Sequence, residues 1–485
     1  MRHSHIVTPC NISLSEWRFR SSHGNGGRDM SFGIGTMIDR LMGQDVAQRE
    51  LGLKDLPGDD SFMELPRMIG HPTEWLHERF ERYGRVFRTR ILVGGVFMIG
   101  AEANRAIMVT RRDEFGYGKG YEQTNVNNVF KDSIMMMEGE EHARTRGILN
   151  PAVGRLAVRE SGAAVQGIWR RSLARSAVRD AVDAYDFARS TTYEVSANTL
   201  TGLELGSDAA EFEPLLETLI QGIMQSVPIR VPFSPLDKAM KARETLIDML
   251  IPRIEAARVG ESRGLVGQLA QYRDEHGQHL PAQEIAANLL LLFWAGYDTT
   301  ASASSWILHR LARRPDWQRR LREELLALEV DDISTLETGR STPQTEWFLY
   351  EIERHTPSVV FFPRIALQDI EYKNFRIPEG TPIFYSPYMS HRDPLSFPNP
   401  NCFDPDRWNP ALGEKRARTS DLVGFGGGPR ICMGKSFAKL QLKILLYELL
   451  SRYQVEVDDR TTHSVMALPV HHPVNSSIRI RPLAT

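Results

Sequence analysis

The chain has 485 residues, of which 25% are charged and 41% hydrophobic, and its formal net charge is -2. This near-neutral balance argues against a protein that binds nucleic acid through its overall charge. Its three cysteines, Cys10, Cys402 and Cys432, include no CxxC pair, which excludes a disulfide framework and a zinc site of clustered thiolates. We therefore expect a cytoplasmic protein. If sulfur binds a metal in this protein, we expect a single thiolate to be the ligand.

The first thirty residues are polar, contain a GNGG run and lack the apolar core of a secretory signal. We predict that residues 1–30 form a disordered tail, or that they precede a true start at Met30. Residues 31–485 then form one catalytic domain. Since no run approaches the ~18 consecutive apolar residues that crossing a bilayer requires, we expect no transmembrane segment.

The apolar pattern changes along the chain. Residues 84–100 alternate apolar and polar side chains around a Gly-Gly pair, which predicts a strand hairpin. From about 138 to 330 the apolar spacing is three and four, typical of helices, including an amphipathic helix at 315–328. Short β-like runs fill 355–432, and a last helix from Gly434 to about Tyr453 precedes a β-rich tail. The sequence predicts a mainly α fold with a smaller β portion drawn from both ends.

The most informative segment is FGGGPRICMG at residues 425–434. Its glycines permit positive φ and close approach to a flat ligand. Cys432 stands just before a predicted helix, where unpaired N–H groups and the helix dipole favour a thiolate, and Arg430 offers donors to a carboxylate. The overlapping PRICMGKS differs from a phosphate-binding GxxxxGK[ST] loop because Pro429 replaces the first glycine and has no N–H. That alternative predicts nucleotide binding.

The same segment resembles the cytochrome P450 signature FxxGxRxCxG. The resemblance implies a haem b whose iron is bound by the Cys432 thiolate, and such a ligand donates electron density that favours O–O cleavage. It also implies that Phe425 packs near the sulfur and that loop N–H groups tune it. The implied fold is a single P450-like domain with a long central helix crossing the distal face of the haem. The matched positions are Phe425, Gly428, Arg430, Cys432 and Gly434.

A second motif lies in LLLLFWAGYDTTASASS at residues 289–305, which resembles the family's central helix with its AGxDT pattern at Ala295, Gly296, Asp298 and Thr299. Gly296 would thin the helix beside the iron, and the Thr299 hydroxyl can bond to a carbonyl one turn back. The resemblance implies that Asp298 and Thr299 relay protons to the distal oxygen of bound O2. The alternative is that both side chains only satisfy a buried helix.

Glu351 and Arg354 form an ExxR pair at i, i+3, and Arg407 lies in FDPDRW. An ExxR pair alone has little weight, because surface helices contain many such pairs. Together the three residues resemble the family's Glu–Arg–Arg network, which is structural and holds the cysteine-loop region in place.

Further cations are implied as partners of the two haem carboxylates, because burying a carboxylate without partners is costly. His142 and Arg146 are spaced i, i+4 in EEHARTR, and Arg364 lies in FFPR. The resemblance implies that these residues and Arg430 meet the haem propionates. For His142 the alternative is a solvated helix face.

The resemblance implies O2 as co-substrate and two electrons per turnover, originating from NAD(P)H. No flavin or iron–sulfur segment is recognised, so we expect an external redox partner, a ferredoxin or flavodoxin with its reductase. Lys435, Lys439 and Lys443 recur every fourth residue and predict a basic docking stripe for it. The alternative is a solvated lysine face.

The expected function is insertion of one oxygen atom into an apolar organic substrate, by hydroxylation or epoxidation, in biosynthetic or catabolic metabolism. A peroxygenase or isomerase and a non-catalytic haem protein remain as alternatives. The N-terminal and strand regions resemble the branch that includes retinoid hydroxylases, which indicates an extended apolar substrate. The residues expected to line its pocket are Phe293, Trp294, Val360, Phe361 and Met466.

Overall fold

A computed structural model provides the architecture of the chain. The predicted tail at 1–30 lies outside the residues it describes. Those residues are 53–59, 61, 64–90, 94–122, 124–201, 209–224, 230–260, 264–328, 333, 336, 342–458, 464–466 and 470–483.

Most of the described residues are helical. Among them, no helix combines the length and the apolar character that crossing a membrane requires. The helices are α1 Glu64–Gly70, α2 Pro72–Tyr83, α3 Ala101–Arg105, α4 Asn125–Phe130, α5 Gly139–Val153, α6 Arg155–Ala177, α7 Ala184–Ser196, α8 Ala209–Ile223, α9 Pro235–Val259, α10 Gly264–Gln271, α11 Ala282–Arg313, α12 Pro315–Leu326, α13 Pro343–His355, α14 Pro387–Ser390 and α15 Lys435–Leu450.

The strands come from both ends of the chain, as predicted, and form small sheets. The largest has the order β1-β2-β8-β5-β3, a second has the order β4-β12-β9, and β6-β7 and β10-β11 are hairpins. The strands are β1 Val86–Thr89, β2 Gly95–Met98, β3 Phe115–Gly116, β4 Val182–Asp183, β5 Phe362–Ala366, β6 Ile370–Tyr372, β7 Phe375–Ile377, β8 Pro382–Tyr385, β9 Tyr453–Val457, β10 Ser464–Met466, β11 His472–Val474 and β12 Ser477–Pro482.

Helix α11 organises the interior. It has 32 residues, follows Pro281 and ends at Arg313 before Pro315, so prolines bracket it. Its side chains are buried on most faces, which explains why its sequence is apolar nearly all round. One end packs into a hydrophobic cluster with α6, α12 and α15, and the other into a cluster with α8, α9 and α10. The helix therefore joins the two largest parts of the core.

The local predictions agree with the observed elements. Strands β1 and β2 pair antiparallel within the predicted 84–100 hairpin. Helix α12 covers the amphipathic segment and buries Trp317, Leu321 and Leu325. Helix α15 follows the cysteine loop, and β12 carries the predicted C-terminal strand.

Candidate active site

The cysteine loop presents the Cys432 thiol at the start of α15. The Cys432 N–H donates to the Phe425 carbonyl over 2.9 Å, which closes the loop. Burial raises the pKa of the thiol, whereas the Gly434 N–H, Arg146 and Lys435 act in the opposite direction. The side chain nevertheless keeps accessible surface. The sulfur is therefore surrounded by protein on most sides and open on one, which explains both the raised pKa of the thiol and its accessible surface.

Two of the loop glycines pack closely against Met108. A Cβ at Gly428 would lie 2.0 Å from the Met108 carbonyl oxygen, and one at Gly427 would lie 2.9 Å from the Met108 sulfur. Gly428 also has φ +58°, a conformation that favours glycine. These two positions therefore accommodate the segment after α3, and the close approach of the loop to a flat ligand stays a prediction.

Helix α5 brings His142 and Arg146 beside the loop. The Arg146 guanidinium donates to the Ile431 carbonyl over 2.6 Å, next to Cys432. Arg430 donates to Glu138 over 2.7 Å. Burial, followed by the charges of Arg430 and Arg146, lowers the pKa of His142 to about 4. The potential around His142 is therefore positive, as a site for carboxylates requires.

Tyr117 is a site residue that the sequence analysis missed. Its ring lies between two guanidinium groups, with Arg364 at 4.2 Å and Arg430 at 4.5 Å from the ring centroid. Arg364 comes from β5 and is buried. Within the described residues, Arg430 forms a salt bridge with Glu138, and none is formed by Arg146 or Arg364. No motif pointed to Tyr117, because its position depends on strand β5 and the cysteine loop meeting in space.

One face of the central helix is accessible although its neighbours are buried. Ala295 is exposed, and Leu292, Gly296, Thr299 and Ala303 are half-buried at helical spacing from it. The Thr299 hydroxyl donates to the Ala295 carbonyl over 2.7 Å, which is the predicted bond one turn back. This face therefore combines small side chains with one hydroxyl.

Asp298 lies on a different face of α11 from Thr299. Its carboxylate is buried and accepts the Tyr185 hydroxyl over 2.7 Å. Burial raises the pKa of Asp298, and Tyr185 and Arg189 partly oppose the rise. The hydrogen bonds of Asp298 and Thr299 thus go to different partners, and the structure does not bring the two predicted relay side chains into direct contact.

Glu351 is the centre of a buried network behind the cysteine loop. It accepts two hydrogen bonds from Arg354, at 2.9 and 2.7 Å, and one from Arg407 at 3.2 Å. The Trp408 indole and the Asp404 N–H also donate to it. The structure therefore brings the three sequence-predicted residues together and adds two donors.

His391 connects this network to the cysteine loop. Its carbonyl accepts from Arg354 over 3.0 Å, and its Nε2 accepts the Val423 N–H over 2.9 Å. Val423 lies two residues before Phe425, at the start of the loop. His391 has no sequence motif and was also missed.

Two of the predicted pocket residues belong to the core. Phe293 has 0% exposure and packs on Tyr193, Phe212 and Tyr297. Val360 has 1% exposure and lies in the hydrophobic cluster around β2 and α2. The prediction that these two residues line a pocket is wrong, because each points into packing that the sequence could not specify.

The other three predicted pocket residues have different positions. Trp294 is half-buried and stacks on Phe130 with ring centroids 4.9 Å apart. Phe361 meets Phe384 edge-on at 5.8 Å. Met466 ends strand β10, and its side chain lies outside the described part of the chain.

The predicted lysine stripe does not form an exposed surface. Lys443 is fully buried, pairs with Glu346 and donates to the Leu336 carbonyl. Lys439 turns to the same Glu346 at 3.4 Å. Only Lys435 of the three is left without a salt bridge to Glu346, and its ammonium lies 5.4 Å from the centroid of the Phe425 ring. The stripe prediction is corrected, because the face of α15 behind the loop packs against α13.

The fold and the site together define a haem-thiolate type of protein, with a cysteine loop on one side and a long helix on the other. The chain matches the cytochrome P450 family model over residues 61–475 and belongs to this family. Members of the family bind haem iron through a thiolate, use O2 and generally receive electrons from redox partners. The chain is therefore a cytochrome P450 monooxygenase.

Individual relatives agree with this assignment. The chain is 29% identical to "Putative cytochrome P450 120" of Synechocystis, over 83% of this chain and 91% of that protein. It is 27% identical to human "Cytochrome P450 26B1", over 89% and 87% of the two chains. The solved structure "Retinoic acid bound cyanobacterial CYP120A1" superposes with a TM-score of 0.79 at 26% identity, covering 88% of this chain and 99% of that one.

Proposed function

We propose that the chain uses a haem bound through Cys432 to insert an oxygen atom into an extended apolar substrate in the cytoplasm. One observation carries the proposal. An accessible thiol, enclosed by protein and bonded by the Gly434 N–H, lies near Arg146, and of Arg146, Arg364 and Arg430 only Arg430 forms a salt bridge within the described residues, with Glu138.

This donor set fits a haem. A thiolate suits iron, and the uncompensated guanidinium charge suits two propionates. Arg146, Arg364 and Arg430 would hold those carboxylates, with His142 as an additional donor from α5. Gly434 would moderate the electron donation of the sulfur through its N–H. When bound, the haem would activate O2, and the residues named here would hold the haem in place.

The accessible face of α11 would provide the distal wall. Ala295 and Gly296 would leave room beside a bound haem because neither carries a large side chain. The Thr299 hydroxyl, which donates to the Ala295 carbonyl, would offer a hydrogen-bond acceptor on this face, and Asp298 would return protons to this region. Since the two side chains lie on different faces, a water or a rotation of the carboxylate must connect them.

The substrate class rests on the apolar surroundings and on the relatives. Trp294 and Phe361 remain partly accessible aromatic side chains near the predicted pocket. The TM-score of 0.79 is to a structure that holds retinoic acid, an elongated apolar carboxylate. We therefore favour an extended isoprenoid-like molecule over a compact one.

Electrons from NAD(P)H would arrive through a ferredoxin or flavodoxin. Lys435 is the member of the predicted stripe still able to face such a partner, since it lies beside the Phe425 ring at the loop. Docking there would bring the donor near the thiolate side of the haem.

The test is the carbon-monoxide difference spectrum of the reduced protein. Wild type should give the red-shifted band of a thiolate-ligated haem, Cys432→Ser should abolish it, and Cys402→Ser is the matched control that should retain it. Titration of the ferric wild type with retinoic acid should shift its haem spectrum at lower concentration than a compact bicyclic terpene. A wild type without the red-shifted band would contradict the ligand assignment, and tighter binding of the compact terpene would contradict the substrate class.

A further inference from the structure

A group of three side chains lies against the central helix on the side away from Thr299. The Tyr185 hydroxyl donates to the Asp298 carboxylate over 2.7 Å. The His472 ring stacks on Tyr185 with centroids 3.6 Å apart and planes inclined by 12°. Asp183 caps α7 and accepts the N–H of Tyr185, which fixes the start of that helix. The tyrosine is therefore held by its backbone and by both the face and the end of its side chain.

The other charges near Asp298 are already engaged. Arg189, also on α7, pairs with Glu217 at 2.9 Å and donates to the Tyr297 hydroxyl at 3.3 Å. Its charge favours the ionised form of Asp298 from a distance. From the β10–β11 hairpin the ring of His472 faces the site, and burial lowers its pKa to about 4, so it is neutral at neutral pH. Within the described residues, the side-chain hydrogen bond to Asp298 comes from Tyr185.

This arrangement affects both the orientation and the proton affinity of the Asp298 carboxylate. Successive residues of a helix point about 100° apart, so the bond from Tyr185 holds Asp298 away from the face of Thr299. A carboxylate that is 3% exposed and has no donor binds a proton more readily than one in water, because burial penalises its charge. A hydroxyl donor directed at the oxygen offsets part of that penalty and fixes the orientation.

We propose that Tyr185 is a positioning residue for proton delivery, which favours the ionised form of the Asp298 carboxylate and fixes its orientation while His472 keeps the tyrosine ring in place. The inference rests on the proposed role of Asp298. A proton from solvent forms an O–H bond at the carboxylate, and its release toward Thr299 restores the carboxylate that Tyr185 binds again. Burial raises the pKa of Tyr185 far above its ordinary value, so the tyrosine keeps its own proton throughout.

The first measurement does not depend on turnover. Infrared pH titration follows the C=O stretch of protonated Asp298, assigned by its loss in Asp298→Asn. In Tyr185→Phe the midpoint of proton uptake should move to higher pH. Tyr193→Phe is the matched control: Tyr193 lies on the same helix, and its buried hydroxyl has no hydrogen-bond partner among the described residues. An unchanged midpoint in Tyr185→Phe would overturn the inference.

The second measurement is NADPH-driven O2 consumption with a ferredoxin system and retinoic acid as the probe. Tyr185→Phe should lower kcat about tenfold with little change in KM, since it affects proton delivery and not binding. His472→Phe should retain the stacked ring and near-normal kcat, whereas His472→Ala should approach Tyr185→Phe. The carbon-monoxide spectrum checks that the haem site is intact in each variant.

The outcomes separate the two proposals. If Asp298→Asn is slow and Tyr185→Phe is normal, the role of Tyr185 is overturned and the role of Asp298 stands. If Asp298→Asn consumes O2 at the wild-type rate, both the relay and the positioning role are overturned. Slow turnover of both, together with the shifted midpoint, supports the inference.

Discussion

Two buried carboxylates, one on each side of the proposed haem position, have opposite surroundings. Glu351 has 0% exposure and receives hydrogen bonds from Arg354, Arg407, Trp408 and the Asp404 N–H. Asp298 has 3% exposure and receives its side-chain hydrogen bond from Tyr185. A carboxylate whose acceptor positions are filled stabilises one geometry, whereas a sparsely bonded one can gain and lose a proton at small structural cost. The difference agrees with the proposed roles, structural for Glu351 and chemical for Asp298.

The largest expected effect comes from Glu351→Gln, which removes the charge and leaves Arg354 buried with fewer acceptors. Breaking a buried ion pair on one side costs about 3–5 kcal/mol of folding free energy. Asp298→Asn keeps the shape and should cost about 1 kcal/mol, because it weakens a single bond. Urea unfolding of both variants measures the difference. Equal losses of stability would break the comparison, and so would a normal turnover rate in Asp298→Asn.

An intermediate effect is expected from acid. Burial, then the charges of Arg354 and Arg392, lowers the pKa of His391 to about 3. An unfolded histidine titrates near 6.5, so below that pH the unfolded chain binds a proton that the folded chain does not. The stabilising contribution is therefore complete above pH ~6.5 and falls as the pH drops toward 3, by up to about 1.4 kcal/mol per pH unit.

The measurement is the free energy of urea unfolding at several pH values between 5 and 7. His391→Gln should reduce the slope with pH, whatever its effect on the absolute stability. His276→Gln is the control, because the side chain of His276 is 77% exposed. An unchanged slope in His391→Gln would show that this histidine does not couple the Glu351 network to acid.

The two carboxylates also show where sequence reasoning succeeds and where it ends. The Glu351–Arg354 pair is local, and the loop and central-helix motifs keep their residues within one turn or one loop, so their geometry follows from the sequence. Tyr185 and Asp298 are 113 residues apart, and nothing in either segment indicates the other. The prediction that Phe293 lines a pocket was wrong for a similar reason, because the sequence of an apolar helix does not show which of its faces meets a ligand.

The smallest expected effect concerns the lysines, where the sequence pattern and the structure disagree. Lys435→Gln should slow reduction by ferredoxin about threefold at low ionic strength and less at high salt, because one surface charge mainly affects encounter. Lys443→Met should lower the free energy of unfolding and leave the transfer rate unchanged, because Lys443 is buried on Glu346. Stopped-flow reduction at two salt concentrations, with urea unfolding beside it, separates the two. A salt-dependent rate loss in Lys443→Met would mean that α15 exposes its lysines when the partner binds. The region around the cysteine loop would then be less rigid than the Glu351 network indicates.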